Sequence, residues 1–132
     1  MRIHRYRASF WGLVLQALFY VALGINHFWH WGAYARIMPT HYSHPHVLVL
    51  ISGGAEILGG LGLLIERTRR SAAWGLIMLL LIYFDVHIFM IAHSDRFPLI
   101  PIWILVMRIP FQFALLAWAW IYTGRSAHIV AA

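Results

Sequence analysis

Apolar residues in this chain gather into four blocks, roughly 10–30, 47–65, 72–92 and 102–122, with short polar connections between them. A helix of about 20 residues spans the roughly 30 Å hydrocarbon core of a bilayer. The pattern therefore predicts an all-α membrane protein, a bundle of four transmembrane helices. Four crossings nearly use up the length, so residues 1–132 read as a single membrane domain. Any function must then sit inside the bundle or in the two connections 31–46 and 93–101; the remaining connection, 66–71, lies on the other side.

Composition sharpens this picture in two places. With 62% hydrophobic and 11% charged residues, the chain is too apolar for a soluble domain of its size. With no cysteine, disulfides, thiolate metal sites and dithiol relays are excluded. Charge sets the expected orientation. All basic residues are arginine: Arg2, Arg5, Arg7, Arg67, Arg69, Arg70 and Arg125 flank one side of the blocks, only Arg36 and Arg96 the other. That bias predicts both termini in the cytoplasm (N-in/C-in) and affinity for anionic headgroups. The formal charge of +6 is thus a topology signal, and no nucleic acid partner is expected. The first block is read as a retained helix: it runs into Asn26-His27-Phe28 where a cleaved signal peptide would offer small residues.

The second block shows how helices are expected to meet. Ser52, Ala55, Gly59 and Gly62 share one helical face of small volume, which in lipid favours close backbone approach. Gly53 and Gly60 flank that face, with Glu56 between them. Trp11 and Trp74 suit one membrane interface and Trp29, Trp31 and Trp103 the other. Pro110 inside the fourth block removes a backbone donor and is expected to bend the helix.

The ionisable residues within the blocks are His27, Glu56, Asp85, His87 and Arg108, accompanied by Asn26 and Gln112. At the helical rise, His27 lies about 5 Å and His87 about 8 Å below the loop-bearing end. On the same count Asp85 and Arg108 lie about 10 Å and Glu56 about 15 Å down. All four blocks thus contribute polar groups to one half of the membrane, which predicts a shared pocket there. Unpaired charge in lipid is costly, so Glu56 and Asp85 are the expected partners of Arg108, with Gln112 one turn away. Asn26, His27, Glu56, Arg108 and Gln112 are the candidate ligand-binding set. Glu56, Asp85, His27 and His87 are the candidate proton relay. Two plainer readings stand beside these: a buried ion-pair network that fixes helix register, and His87 as a satisfied core histidine.

The first loop carries His41, His44 and His46 within six residues, a weak candidate for zinc or copper interrupted by Pro45. His27 and His87 could also be drawn as axial ligands of a haem, but the carboxylates and Arg108 compete for that space. Neither a metal nor a haem is expected, nor any covalent cofactor.

The run Gly24-Ile25-Asn26-His27-Phe28, followed by Tyr34 and Ile37-Met38-Pro39, resembles the start of DoxX-like membrane proteins. Ile51-Ser52-Gly53-Gly54-Ala55-Glu56-Ile57-Leu58-Gly59-Gly60-Leu61-Gly62 resembles their second-helix signature. Arg70, Ala73, Gly75 and Leu76 are similar to the start of their third helix, and Arg108-Ile109-Pro110-Phe111-Gln112 to their fourth. The resemblance spans roughly residues 20–122. It departs at Phe84-Asp85-Val86-His87, where family members commonly carry a Pro-Ala-Asn type segment. What it implies is a four-helix protein of the bacterial cell (inner) membrane, often tied to respiratory or sulfur redox chemistry.

Three functions follow as expectations. The first is a membrane subunit or accessory of an oxidoreductase whose pocket takes a quinone or another small apolar ligand. No flavin, haem or iron–sulfur motif is present, so electrons would come from a redox-enzyme partner. The second is a non-enzymatic assembly or scaffold protein whose polar cluster only locks the bundle, working as a homo-oligomer or beside a partner in the bilayer. The third is a stand-alone acid–base enzyme on a lipid-like substrate, with His27 and Glu56 as the pair.

Overall fold

The computed structural model describes residues 8–124 together with 129 and 130. Four long helices dominate it: α1 (Phe10–Trp29), α3 (Pro45–Leu64), α4 (Glu66–Ala92) and α5 (Ile102–Trp120). Each is long and apolar enough to cross a membrane. The short helix α2 (Trp31–Arg36) and a 3-10 turn at Ser94–Arg96 sit in the connections. A two-residue parallel pairing joins Ala8–Ser9 to Ile129–Val130. The chain is therefore an all-α, multi-pass membrane protein. Connections 30–44 and 93–101 lie at one end of the bundle, here the loop end; the opposite end is the terminal end.

Local signals explain where the helices start and stop. Ser9 caps α1 by accepting from the Gly12 amide at 3.3 Å. Pro45 opens α3, where its missing N–H costs nothing. The connection expected over 66–71 is not a loop. Ile65 alone separates α3 from α4, and the arginines occupy the first turns of α4. Thr68 and Arg69 reach back to the last carbonyls of α3, donating to Gly62 O at 2.9 Å and Leu63 O at 2.8 Å. Those bonds satisfy acceptors that a helix end leaves open. α5 continues unbroken through Pro110.

The helices contact in the order α1–α3–α4–α5, with the α1–α3 interface the most extensive. Glycine decides that interface. A Cβ on Gly24 would lie 2.5 Å from the Gly53 carbonyl, and one on Gly60 2.7 Å from the Ala17 carbonyl. The small-residue face expected from sequence meets α4 through its glycines, and the glycines flanking it make a second seam. Gly53 and Gly60 form the seam with α1, whereas Gly59 and Gly62 receive Leu76 and Ala72 of α4.

Two apolar cores result. One, in the terminal half, joins Leu13, Ala17, Tyr20, Leu63, Leu76, Leu80 and Leu115. The other, at the loop end, joins Val86, Met90 and Leu105. Most of the polar residues of interest lie between them. Outside, Leu15, Ile51, Leu58, Met78 and Val106 are exposed, an apolar girdle that needs lipid around it.

Candidate functional site

Glu56 stands at the centre, on α3, and is 1% exposed. The close α1–α3 seam carries it there, because the glycines on either side let α1 approach. Its Oε1 accepts from the Tyr83 hydroxyl of α4 at 2.9 Å. Its Oε2 has no hydrogen-bond partner among the described residues; His27 Nε2 of α1 is nearest among the bases, at 3.8 Å.

His27 is held in one orientation. Its Nδ1 lies 3.0 Å from Ser52 Oγ and 3.3 Å from the Val49 carbonyl. Ser52 donates its own proton to that carbonyl at 2.8 Å, so we assign the Nδ1 proton to His27. Nε2 is then left facing Glu56, and one proton serves both: on Nε2 it makes an ion pair, on Oε2 a neutral pair.

His27, Tyr34, Ser52, Tyr83, His87 and Arg108 line a cavity of about 100 Å³, closed by Met38, Val49 and Val86. Of the residues expected to share a pocket, His27, His87 and Arg108 line this cavity, and Glu56 does not. Tyr34 and Arg108 also line a wider cleft of about 400 Å³ that includes Asn26 and His30.

Several expected placements need correcting. Asp85 does not face the pocket. It is half-exposed and accepts from His41 Nε2 and from the Tyr42 hydroxyl, both at 2.8 Å. That bond to the carboxylate raises the Tyr42 hydroxyl above its ordinary pKa. Asp85 sits two positions from His87, and a helix turns neighbours at that spacing to different faces. Arg108 accordingly makes no ion pair with Glu56 or Asp85; its Nη1 donates to Met90 Sδ at 3.0 Å. Gln112 is buried but donates to the Leu80 carbonyl at 2.7 Å and lies 3.4 Å from His87 Nε2 through Oε1. It positions His87 and ties α5 to α4 without lining the cavity. Asn26 donates to the Tyr34 hydroxyl at 2.7 Å and lies 2.7 Å from His30 Nδ1 through Oδ1, so its amide positions Tyr34.

The loop histidines separate. His41 meets Asp85 and His44 meets the Ser43 hydroxyl, and among the described residues no three metal-ligating side chains converge.

Two groups of residues were missed from sequence. Tyr34 entered the sequence reading only through the family resemblance and Tyr83 not at all, yet both line the cavity, and they hydrogen-bond Asn26 and Glu56. Gln16 and Tyr20, one turn apart on α1, are fully buried in the terminal half that looked apolar. Among the described residues the Gln16 amide and Tyr20 hydroxyl meet no partner in hydrogen-bond geometry. A buried unpaired amide costs about 1–3 kcal/mol. Gln16→Leu is therefore expected to raise the thermal midpoint in detergent, which a melting curve against the native chain would check.

Residues 15–123 match the model of a family described as Domain of unknown function (DUF8561). The chain belongs to that family. The matched stretch takes in every residue of the cavity, so the polar site is part of the DUF8561 domain itself. No curated protein and no solved structure matches the chain.

Proposed function

We propose that this DUF8561 protein binds the head of a small apolar ligand, a quinone being the best fit, as a proton-handling membrane subunit of an oxidoreductase. The observation that carries the reading is the Glu56–His27 pair behind a cavity that also holds Arg108, a permanent cation with no carboxylate partner among the described residues. An ionisable group within a membrane span is a functional group by default. The donor set suits a carbonyl-bearing ring, and a cavity of about 100 Å³ takes one such ring.

A bound quinone would supply two-electron chemistry, taking up two electrons and two protons, one proton at each carbonyl oxygen. The electrons come from a redox-enzyme partner. This chain's own groups do the rest. Arg108 and the Tyr34 hydroxyl orient the ring, and Arg108 stabilises negative charge as it builds on oxygen. Glu56 and His27 would hold one proton at Oε2 or Nε2, which His27 passes to the nearer carbonyl oxygen; the second proton reaches the other oxygen from water in the wider cleft beside Arg108 and Tyr34. The arginine bias supports both termini in the cytoplasm, and the DoxX-like resemblance supports a bacterial inner membrane.

Native mass spectrometry of the protein gently extracted from its own membranes tests this reading. A bound quinone mass or a redox partner supports it; an empty homo-oligomer sinks it. In a complex with its partner, Glu56→Gln is expected to keep the ligand mass but slow proton-coupled turnover by about a hundredfold or more. The His27–Glu56 geometry also favours a second reading, an acid–base enzyme acting alone on a lipid-like substrate. Conversion of a candidate lipid by the purified chain, lost in Glu56→Gln, would distinguish it.

A further inference from the structure

A crevice open towards lipid shares a wall with the cavity. α3 and α4 are joined by the single residue Ile65 and are tightest beside that turn, where Gly62 and Gly59 receive Ala72 and Leu76. Further towards the loop end the two helices leave a crevice of about 180 Å³ between Ala55 and Ile51 of α3 and Ile82 and Leu79 of α4. Ile51, Ala55 and Ile82 are exposed on the girdle, so the crevice opens where lipid lies. Its inner wall is Ser52, Tyr83 and Val86, and these three also line the cavity. The stripe Ser52–Ala55–Gly59–Gly62 thereby gains a meaning beyond packing. Its glycines close the seam with α4, and its serine and alanine line the crevice.

We propose that this crevice is the lateral entry for the ligand and seats its apolar chain, while the head lies in the cavity. The occupant follows from the walls. Beyond the Tyr42 and Tyr83 hydroxyls and Ser52 the lining is aliphatic, which suits an extended hydrocarbon or isoprenoid chain and offers nothing to a second polar head. The wall that crevice and cavity share, Met38, Ser52, Tyr83 and Val86, puts both within reach of one molecule with its head on one side and its chain on the other. The inference rests on the head-binding reading above and adds the route and the ligand class: a carbonyl ring with a long apolar tail.

The test compares a tail-less benzoquinone with the same head bearing a decyl chain, both titrated against the full-length protein in nanodiscs. Ala55→Trp fills the crevice without touching Glu56, His27 or Arg108. Leu58→Trp, on the exposed surface of the same helix outside the crevice, is the control for insertion and folding. We expect Ala55→Trp to weaken the decyl ligand roughly tenfold or more, the loss of about two buried methylenes, and to leave the tail-less head unchanged. Leu58→Trp is expected to change neither. Equal affinities of the decyl ligand for native and Ala55→Trp protein would overturn the crevice while leaving the head site standing. Loss of both ligands in Ala55→Trp alone would place the head itself in the crevice and overturn the assignment. If the native protein binds neither quinone, the head-binding reading falls, and the inference with it.

Discussion

Arg108→Met will leave the fold at least as stable as the native chain and weaken binding of a quinone head by about a hundredfold, the worth of a charge-assisted hydrogen bond. The first half of that expectation comes from what Arg108 touches. Its Nη1 meets Met90 Sδ, and among the described residues no carboxylate lies within ion-pair distance. Removing one member of a buried ion pair strands the other and costs about 3–5 kcal/mol; no such stranded carboxylate arises here. The second half follows from its place on the cavity wall beside Tyr34 and His87. Melting in detergent and ligand titration on the same preparation measure both. A variant that melts much earlier yet binds as before would mean that the polar set only locks the bundle, the scaffold function.

Gly24→Val will prevent the bundle from forming. The β-carbon alone would sit 2.5 Å from the Gly53 carbonyl and 2.6 Å from Ile57 Cγ1, both on the facing helix. Neither can yield without pushing α1 off α3, and that interface also sets the His27–Glu56 separation. Overpacking of this kind costs at least about 3 kcal/mol. In lipid no gain in hydrophobic burial offsets it, because helices associate there through close contact. Gly54, adjacent to Gly53, gives the matched comparison: a Cβ there meets nothing within 4 Å. Gly54→Ala is expected to be neutral or to stabilise by up to about 1 kcal/mol through helix propensity alone. Folded yield by size-exclusion chromatography and the thermal midpoint report both variants. Equal behaviour of the two would refute the glycine seam.

Much of the architecture was legible in residue order. The four apolar blocks located the spanning helices to within a few residues, except that α4 begins at Glu66 instead of near 72. Thr68 and Arg69 explain the exception, since their side chains bind the end of α3 and let the helix start at once. The depth arithmetic likewise brought His27, His87 and Arg108 to one level, and they share a cavity. It failed for Asp85, because depth along an axis carries no azimuth. Asp85 and His87 are at nearly equal depth, yet one meets the loop residues His41 and Tyr42 and the other meets Gln112 of α5.

Tyrosine was the residue type that sequence reasoning undervalued. Tyr34 and Tyr83 are amphipathic rings that suit a membrane interface as well as a pocket, and only packing distinguishes the two uses. A signal was available for Tyr83: it precedes His87 by four residues and so lies one turn from it on the same helix.

By itself the sequence determined that this chain is an all-α protein of four apolar helices, because each length and composition reports directly on the solvent a helix must meet. It also determined which ionisable groups lie within those helices. The tertiary structure alone decided which of them meet. Whether Glu56 faces His27 or Arg108 depends on the rotation of α3 against α1 and α4, and that rotation is chosen by which glycines admit a neighbour: Gly53 and Gly60 towards α1, Gly59 and Gly62 towards α4. Both pairs lie on the same short run of small residues, so the choice between them rests on contacts with distant parts of the chain.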